Sequence, residues 1–197
     1  MSYQLYKTEG IVLACLDKGE AHRQYDLLTE ELGFVRAVAR SVRENKSKLR
    51  YSLQNFSVSS ISLVRGKEIW RITGASEVFN IYHSLKESRE RQQSIGRIIS
   101  LVRRLVHGEG ENSELYRIVL NAVLFLKSAP DEIFKDDRFE ILTVLRILYN
   151  LGYLAKKPPY EELLNSIDLD KELVTSVSPV RKDLINTINS SLSESHL

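Results

Sequence analysis

Between Gly33 and Arg50 the chain reads G-F-V-R-A-V-A-R-S-V-R-E-N-K-S-K-L-R. Six of these side chains are cationic: Arg36, Arg40, Arg43, Lys46, Lys48 and Arg50, with only Glu44 opposing them. Fixed positive charge at this density can neutralise a polyanion. Each phosphate contact releases condensed counterions, which supplies affinity without reading sequence. Read as a strand, Phe34 to Arg40 puts Phe34, Arg36, Val38 and Arg40 on one face. Val35, Ala37 and Ala39 fall on the other, where small apolar residues can line a barrel and leave the arginines outside. A plain solvated basic surface is the alternative reading of the same residues.

Binding to single strands adds rings on which bases stack, worth about 1–3 kcal/mol per base. Tyr25, Phe34, Tyr51 and Trp70 are the candidates. Tyr51 sits amid the basic loop and is the leading one. By alternation Trp70 faces inward and Arg71 outward, so Trp70 reads as core. Arg23 and Tyr25 share a face of their strand and can extend the same surface. Arg23 and Arg71 therefore join the six cations above and Tyr51 as the expected nucleic-acid contacts.

Other chemistries find no support, so no enzyme activity and no cofactor are expected. Asp136-Asp137 and Glu161-Glu162 are adjacent carboxylates with no partner motif for acid–base or metal work. Arg65-Gly66-Lys67 lacks P-loop spacing, and the glycines at Gly108 and Gly110 follow a helix rather than a strand. Cys15 is the only cysteine, and His22, His83, His107 and His196 are scattered, so no zinc site is expected. In the second half Arg97, Arg103 and Arg104 share one amphipathic helix. Arg146 differs, because it interrupts an apolar one. It reads either as a snorkelling or paired structural cation or, with Leu145 and Leu148, as a pocket for an acidic, apolar peptide tail.

The elements that must hold these residues change character near Asn80. Before it, five short β-rich runs are punctuated by Asp17–Glu20, Gly33 and Arg65–Lys67, the size of a small closed Greek-key barrel of the oligonucleotide-binding (OB) type. Lys48 to Gln54 can form one helical turn. After it, Ile95, Ile98, Ile99, Val102, Leu105 and Val106 recur at helical spacing, and Gly108 should end that helix. Asn112 should cap a second, nearly all-apolar helix. A third runs from Phe139 to Leu151. Pro158-Pro159 should open a short helix from Glu161 to Ile167, and Ser178-Pro179 should cap a last one that frays over its final residues. The expected domains are residues 1–80, a barrel, and 81–197, all-helical, making an α+β protein.

The 197 residues carry a formal charge of +2, divided as +3 over residues 1–80 and −1 over the rest. The first part is thus the likelier polyanion binder. No leader segment and no span of apolar residues long enough for a membrane is legible, so a cytoplasmic, nucleoid-associated location is expected.

Particular motifs resemble the bacterial recombination mediator family RecO. They are Y-K-T-E-G-I-V-L at Tyr6 to Leu13, G-E-A-H-R at Gly19 to Arg23, and L-L-T-E-E-L-G-F-V-R-A-V-A-R at Leu27 to Arg40. K-S-K-L-R at Lys46 to Arg50 with L-Q-N-F at Leu53 to Phe56 is similar to the family signature K-S-x-L-R-G-x-L-Q-P-F. L-R-I-L-Y-N-L-G-Y at Leu145 to Tyr153 resembles a helical motif of the same family. The resemblance implies an OB domain before a helical one, and binding of single- and double-stranded DNA with strand annealing. It also implies pairing with RecR, contact with the C-terminal tail of single-stranded DNA-binding protein (SSB), and help in loading RecA on SSB-coated DNA. Tyr51 and Asn55 stand where the family has glycine and proline. The four cysteines that hold zinc in many relatives are absent after Tyr153. Two other functions remain open on the residues alone: an OB protein that binds RNA, and a non-catalytic interaction scaffold.

Overall fold

The computed structural model describes residues 4–81, 85 and 88–194. Five strands come first: β1 (Leu5–Lys18), β2 (His22–Thr29), β3 (Gly33–Ala39), β4 (Ser57–Arg65) and β5 (Trp70–Asn80), with one helical turn, α1 (Leu49–Ser52), between β3 and β4. They pair in the order β1-β2-β3-β5-β4, and β4 returns to β1 to close the ring. Period-2 alternation drives this. Val12, Tyr25, Leu27, Val35, Ala37, Ala39, Ile61, Leu63, Trp70 and Ile72 all point into one buried cluster.

The expected OB-type barrel ending at residue 80 is corrected in two respects. The strands do not close as a uniform barrel. Four seams are antiparallel and seven to nine pairs long, whereas β3 and β5 meet through three parallel pairs, Ala37–Trp70, Val38–Arg71 and Ala39–Ile72. Nor does the helical part simply follow at residue 80. The chain forms two compact units, Met1–Ser84 with Val106–Tyr116, and Leu85–Leu105 with Arg117–Leu197. The second unit is helical, its α-helices joined by three short 3₁₀ turns among the described residues.

Gly33 shows why the returning segment belongs with the strands. Its φ is +66°, and a β-bridge joins it to Glu109. A Cβ there would lie 1.8 Å from the Gly110 carbonyl oxygen, so only glycine lets the two backbones meet. Trp70 Nε1 donates to Glu109 Oε1 (2.8 Å), and Arg65 pairs with Glu109 Oε2 (3.1 Å). The Tyr116 hydroxyl donates to Glu9 (2.6 Å).

The second unit holds α2 (Arg89–Leu105), most of α3 (Ser113–Ser128), α4 (Arg138–Asn150), α5 (Lys171–Ser176) and α6 (Arg181–Glu194). Helix α2 buries Ile95, Ile98, Ile99 and Val102 as its period requires, and stops at Leu105 rather than Gly108. Asn112 caps α3, its Oδ1 accepting from the Leu115 N–H (2.9 Å). Phe125, Phe134 and Phe139 pack ring to ring at its centre. The helix expected from Glu161 to Ile167 is a single 3₁₀ turn, Glu161–Leu164. Ser178 does not cap. It lies in a 3₁₀ turn, Ser178–Val180, and its hydroxyl accepts from Arg138 (3.0 Å). The last helix holds to Glu194. His83, His196 and residues 195–197 lie outside the described residues.

Candidate nucleic-acid interface

Strand β3 presents its two faces as alternation demands. Val35, Ala37 and Ala39 are fully buried, while Arg36 and Arg40 are exposed between the covered Phe34 and Val38. Arg36 Nε donates to Asp26 Oδ1 (3.1 Å) on the neighbouring β2, which fixes the stem and leaves the side chain 60% exposed. Arg71 stands across the β3–β5 seam, opposite Val38. A groove of about 390 Å³ lies here, with Val38 and Ile69 as apolar floor and Lys18, His22, Arg40 and Arg71 around it.

Lys18 and His22 are not legible as site residues in the sequence. They pair with each other at the β1–β2 hairpin end, and only the register reveals that this end reaches the groove. His22 also shapes it. Its Nδ1 accepts from the Ser41 N–H (3.0 Å), holding Ser41 at φ +53° where the chain leaves β3 for the basic loop.

The loop cations fall into two kinds. Arg43 folds back, donating to the Gly19 carbonyl (3.0 Å) and lying 3.5 Å from Asp17. Lys46, Lys48 and Arg50 are exposed. Tyr51 is 65% exposed, with the Arg50 guanidinium 6.0 Å from its ring centre. Among the described residues, none of Arg40, Lys46, Lys48, Arg50 and Arg71 pairs with a carboxylate. Their charge is therefore available to a ligand.

Two expected contacts move. Tyr25 is wholly buried in the strand core and offers no stacking face. Arg23, on the same side of β2, points to the barrel rim and donates to Asp17 (2.9 Å). It does not join the outer surface of Arg36, Arg40 and Arg71. Trp70 is core, as its alternation implies.

The peptide-tail pocket at Arg146 is corrected outright. Arg146 is 3% exposed, and Leu145 and Leu148 are fully buried. Its guanidinium donates to the carbonyls of Leu163 (3.0 Å), Ile167 (3.1 Å) and Asp168 (3.0 Å). Burial lowers its pKa to about 10, so it stays charged at neutral pH, and it works as an internal clamp on the segment that follows α4. The other helical candidates divide: Arg97 grips Glu140 through both carboxylate oxygens (2.8 and 2.7 Å), while Arg104 is exposed.

A small ring of strands bearing exposed, unneutralised cations on one face and on the adjoining loop defines the class: a compact β module with a cationic surface. No group of three or more His, Cys, Asp or Glu among the described residues could hold a metal ion. The sequence profile described as "Recombination protein O N terminal" matches residues 1–80. Among curated proteins, the DNA repair protein RecO of Dehalococcoides mccartyi is 30% identical over 160 residues, 81% of this chain and 60% of that protein. That of Heliobacterium modesticaldum is 31% identical over 150 residues, 76% of this chain and 52% of that protein. That of Thermodesulfovibrio yellowstonii is 28% identical over 149 residues, 76% and 58%. Residues 1–80 form a RecO N-terminal domain, and the chain spans between half and three fifths of these relatives' length. No helix among the described residues is long and apolar enough to cross a membrane.

Proposed function

We propose that this chain is a DNA-binding, strand-annealing mediator in DNA repair and recombination. The observation that carries the reading is the set of five cations, Arg40, Lys46, Lys48, Arg50 and Arg71, that lie exposed on one module and pair with no carboxylate among the described residues. Each can take a phosphate, and Tyr51 can take a base. With phosphate repulsion offset, two complementary strands can approach on the protein before base pairing takes over. Both single- and double-stranded DNA are ligands in this scheme. Assistance of RecA loading on SSB-coated DNA together with RecR is the finer form of the proposal, and it rests on the likeness to RecO proteins. The SSB tail then docks elsewhere than at Arg146.

Fluorescence anisotropy with labelled single-stranded DNA, duplex DNA and single-stranded RNA across a salt series tests the reading. Binding of DNA with a steep negative dependence of log affinity on log salt is the expected result. Equal binding of RNA, which displays 2′-hydroxyls, would favour the RNA alternative. No binding to any of the three would leave only the protein scaffold.

A further inference from the structure

A second groove lies at the rim of the first unit, apart from the cationic face. It measures about 480 Å³ and runs between Cys15, Leu16 and Asp17 of β1, Arg23 of β2, and Leu53–Asn55 after α1. Leu16 is an apolar wall, 52% exposed. Gln54 and Asn55 expose primary amides. Gln54 Oε1 already accepts from Asn80 (3.2 Å), which orients its nitrogen as a donor. Tyr25, the cross-strand partner of Cys15, is fully buried in the core behind it and does not line the groove.

The electrostatics select among ligands. Asp17 would repel an anion, but Arg23 (2.9 Å) and Arg43 (3.5 Å) occupy its oxygens. What remains is an apolar wall with amide donors and acceptors beside it. A planar heterocycle whose edge carries both donors and acceptors matches that set; a bare phosphate does not. Lys46, Lys48 and Arg50 stand just upstream in the chain, where they can hold the phosphates of the same strand.

We propose that this groove receives an unstacked nucleobase of a bound single strand. The inference rests on the single-strand binding proposed above and deepens it. A base must leave its stack to enter, so the groove favours single strands over duplex.

Cys15, the only cysteine of the chain, lines the groove and is half-buried, so it reports occupancy directly. Burial raises its thiol pKa, which calls for alkylation by iodoacetamide at about pH 8.5. Three probes of equal length are compared at concentrations where anisotropy shows saturation: oligothymidylate, the same backbone without bases, and duplex DNA. Oligothymidylate should slow alkylation by about tenfold or more, with the other two leaving the rate within about twofold. Protection by all three alike, or by none while oligothymidylate is bound, overturns the base site and leaves the cationic interface standing. Absence of binding in the anisotropy arm overturns both. As a second arm, Asn55→Ala should weaken oligothymidylate about fivefold and leave the abasic strand unchanged. An equal loss for the two ligands counts against the proposal.

Discussion

The two units differ in where their arginines face: both use arginine in ion pairs, Arg23, Arg43 and Arg65 doing so in the strand unit, but the strand unit also carries a face of exposed ones, unpaired among the described residues. In the strand unit Arg40, Arg50 and Arg71 are exposed and pair with no carboxylate among the described residues, and Arg36 keeps most of its side chain in solvent. In the helical unit Arg91 reaches Asp131 and the carbonyls of Leu126 and Ala129, Arg97 holds Glu140, Arg138 holds Asp136 and Arg181 holds Asp137. Arg146 is buried on three carbonyls. The lesson is that a cation's partners, rather than its count, decide whether it serves a ligand or the fold. A guanidinium already engaged by acceptors has few donors left to offer.

The strongest way to break this contrast is to remove the exposed cations. Replacing Arg36, Arg40, Lys46 and Lys48 together with Ala should flatten the salt dependence by about 0.7 in slope for each phosphate that is no longer neutralised. At 0.1 M salt, four such phosphates amount to between about two and three orders of magnitude in single-strand affinity. Denaturant unfolding should shift less than binding does, the main cost being the lost Arg36 hydrogen bond to the buried Asp26. Unchanged slope in a folded variant would remove this surface from the interface.

The converse test is Arg146→Met. It leaves three carbonyls without their donor and should cost about 3 kcal/mol of unfolding free energy. The folded fraction should bind oligonucleotide as the parent does. A variant as stable as the parent would show the clamp to be dispensable.

Gly33→Ala sharpens the picture within the strand unit. A side chain at φ +66° against the Gly110 carbonyl should cost about 2 kcal/mol and push Val106–Tyr116 from the strands. Trp70 is the only tryptophan, and it would lose its bond to Glu109. Its emission should therefore move to the red.

The smallest effect is expected at the surface pairs of the helical unit. Arg138 and Arg181 hold the Asp136 and Asp137 carboxyls below the ordinary carboxylate range. A depressed folded-state pKa contributes stability above the unfolded value of about 4, and that stability is lost as pH falls through the folded one. Asp137→Asn should therefore lower Tm slightly at neutral pH and make its decline below about pH 4 shallower, as followed by circular dichroism. Parallel acid limbs in the two proteins would show that the pair contributes nothing to the fold.

Local pattern carries much of this. The inward Val35, Ala37 and Ala39 and outward Arg36 and Arg40 follow from period-2 alternation, and the buried stripe of α2 follows from its 3.6-residue period. The cap at Asn112 is legible for the same local reason. Long-range register is not. Lys18 and His22 reach the groove only because β1 and β2 pair as they do, and nothing in their neighbours announces it. The partners of Arg146 are backbone carbonyls, which carry no side-chain signal, so a lone cation in an apolar helix looks equally like a ligand site. The return of Val106–Tyr116 hinges on two glycines meeting, and glycine spacing alone reads as an ordinary loop.

The short β3–β5 joint makes the cationic face mechanically divided. Arg36 rides on β3, with Arg40 just past its end, and Arg71 on β5, and only three parallel pairs hold these strands together. Those amide hydrogens are the ones in the ring best placed to exchange by local opening. A polyanion lying across both strands acts as a splint, since its affinity for the closed joint must be forfeited before the joint parts. Deuterium uptake at Ala37–Ala39 and Trp70–Ile72 should then slow on binding more than at the long β4–β5 joint. Ligand grip and ring closure become one cooperative event.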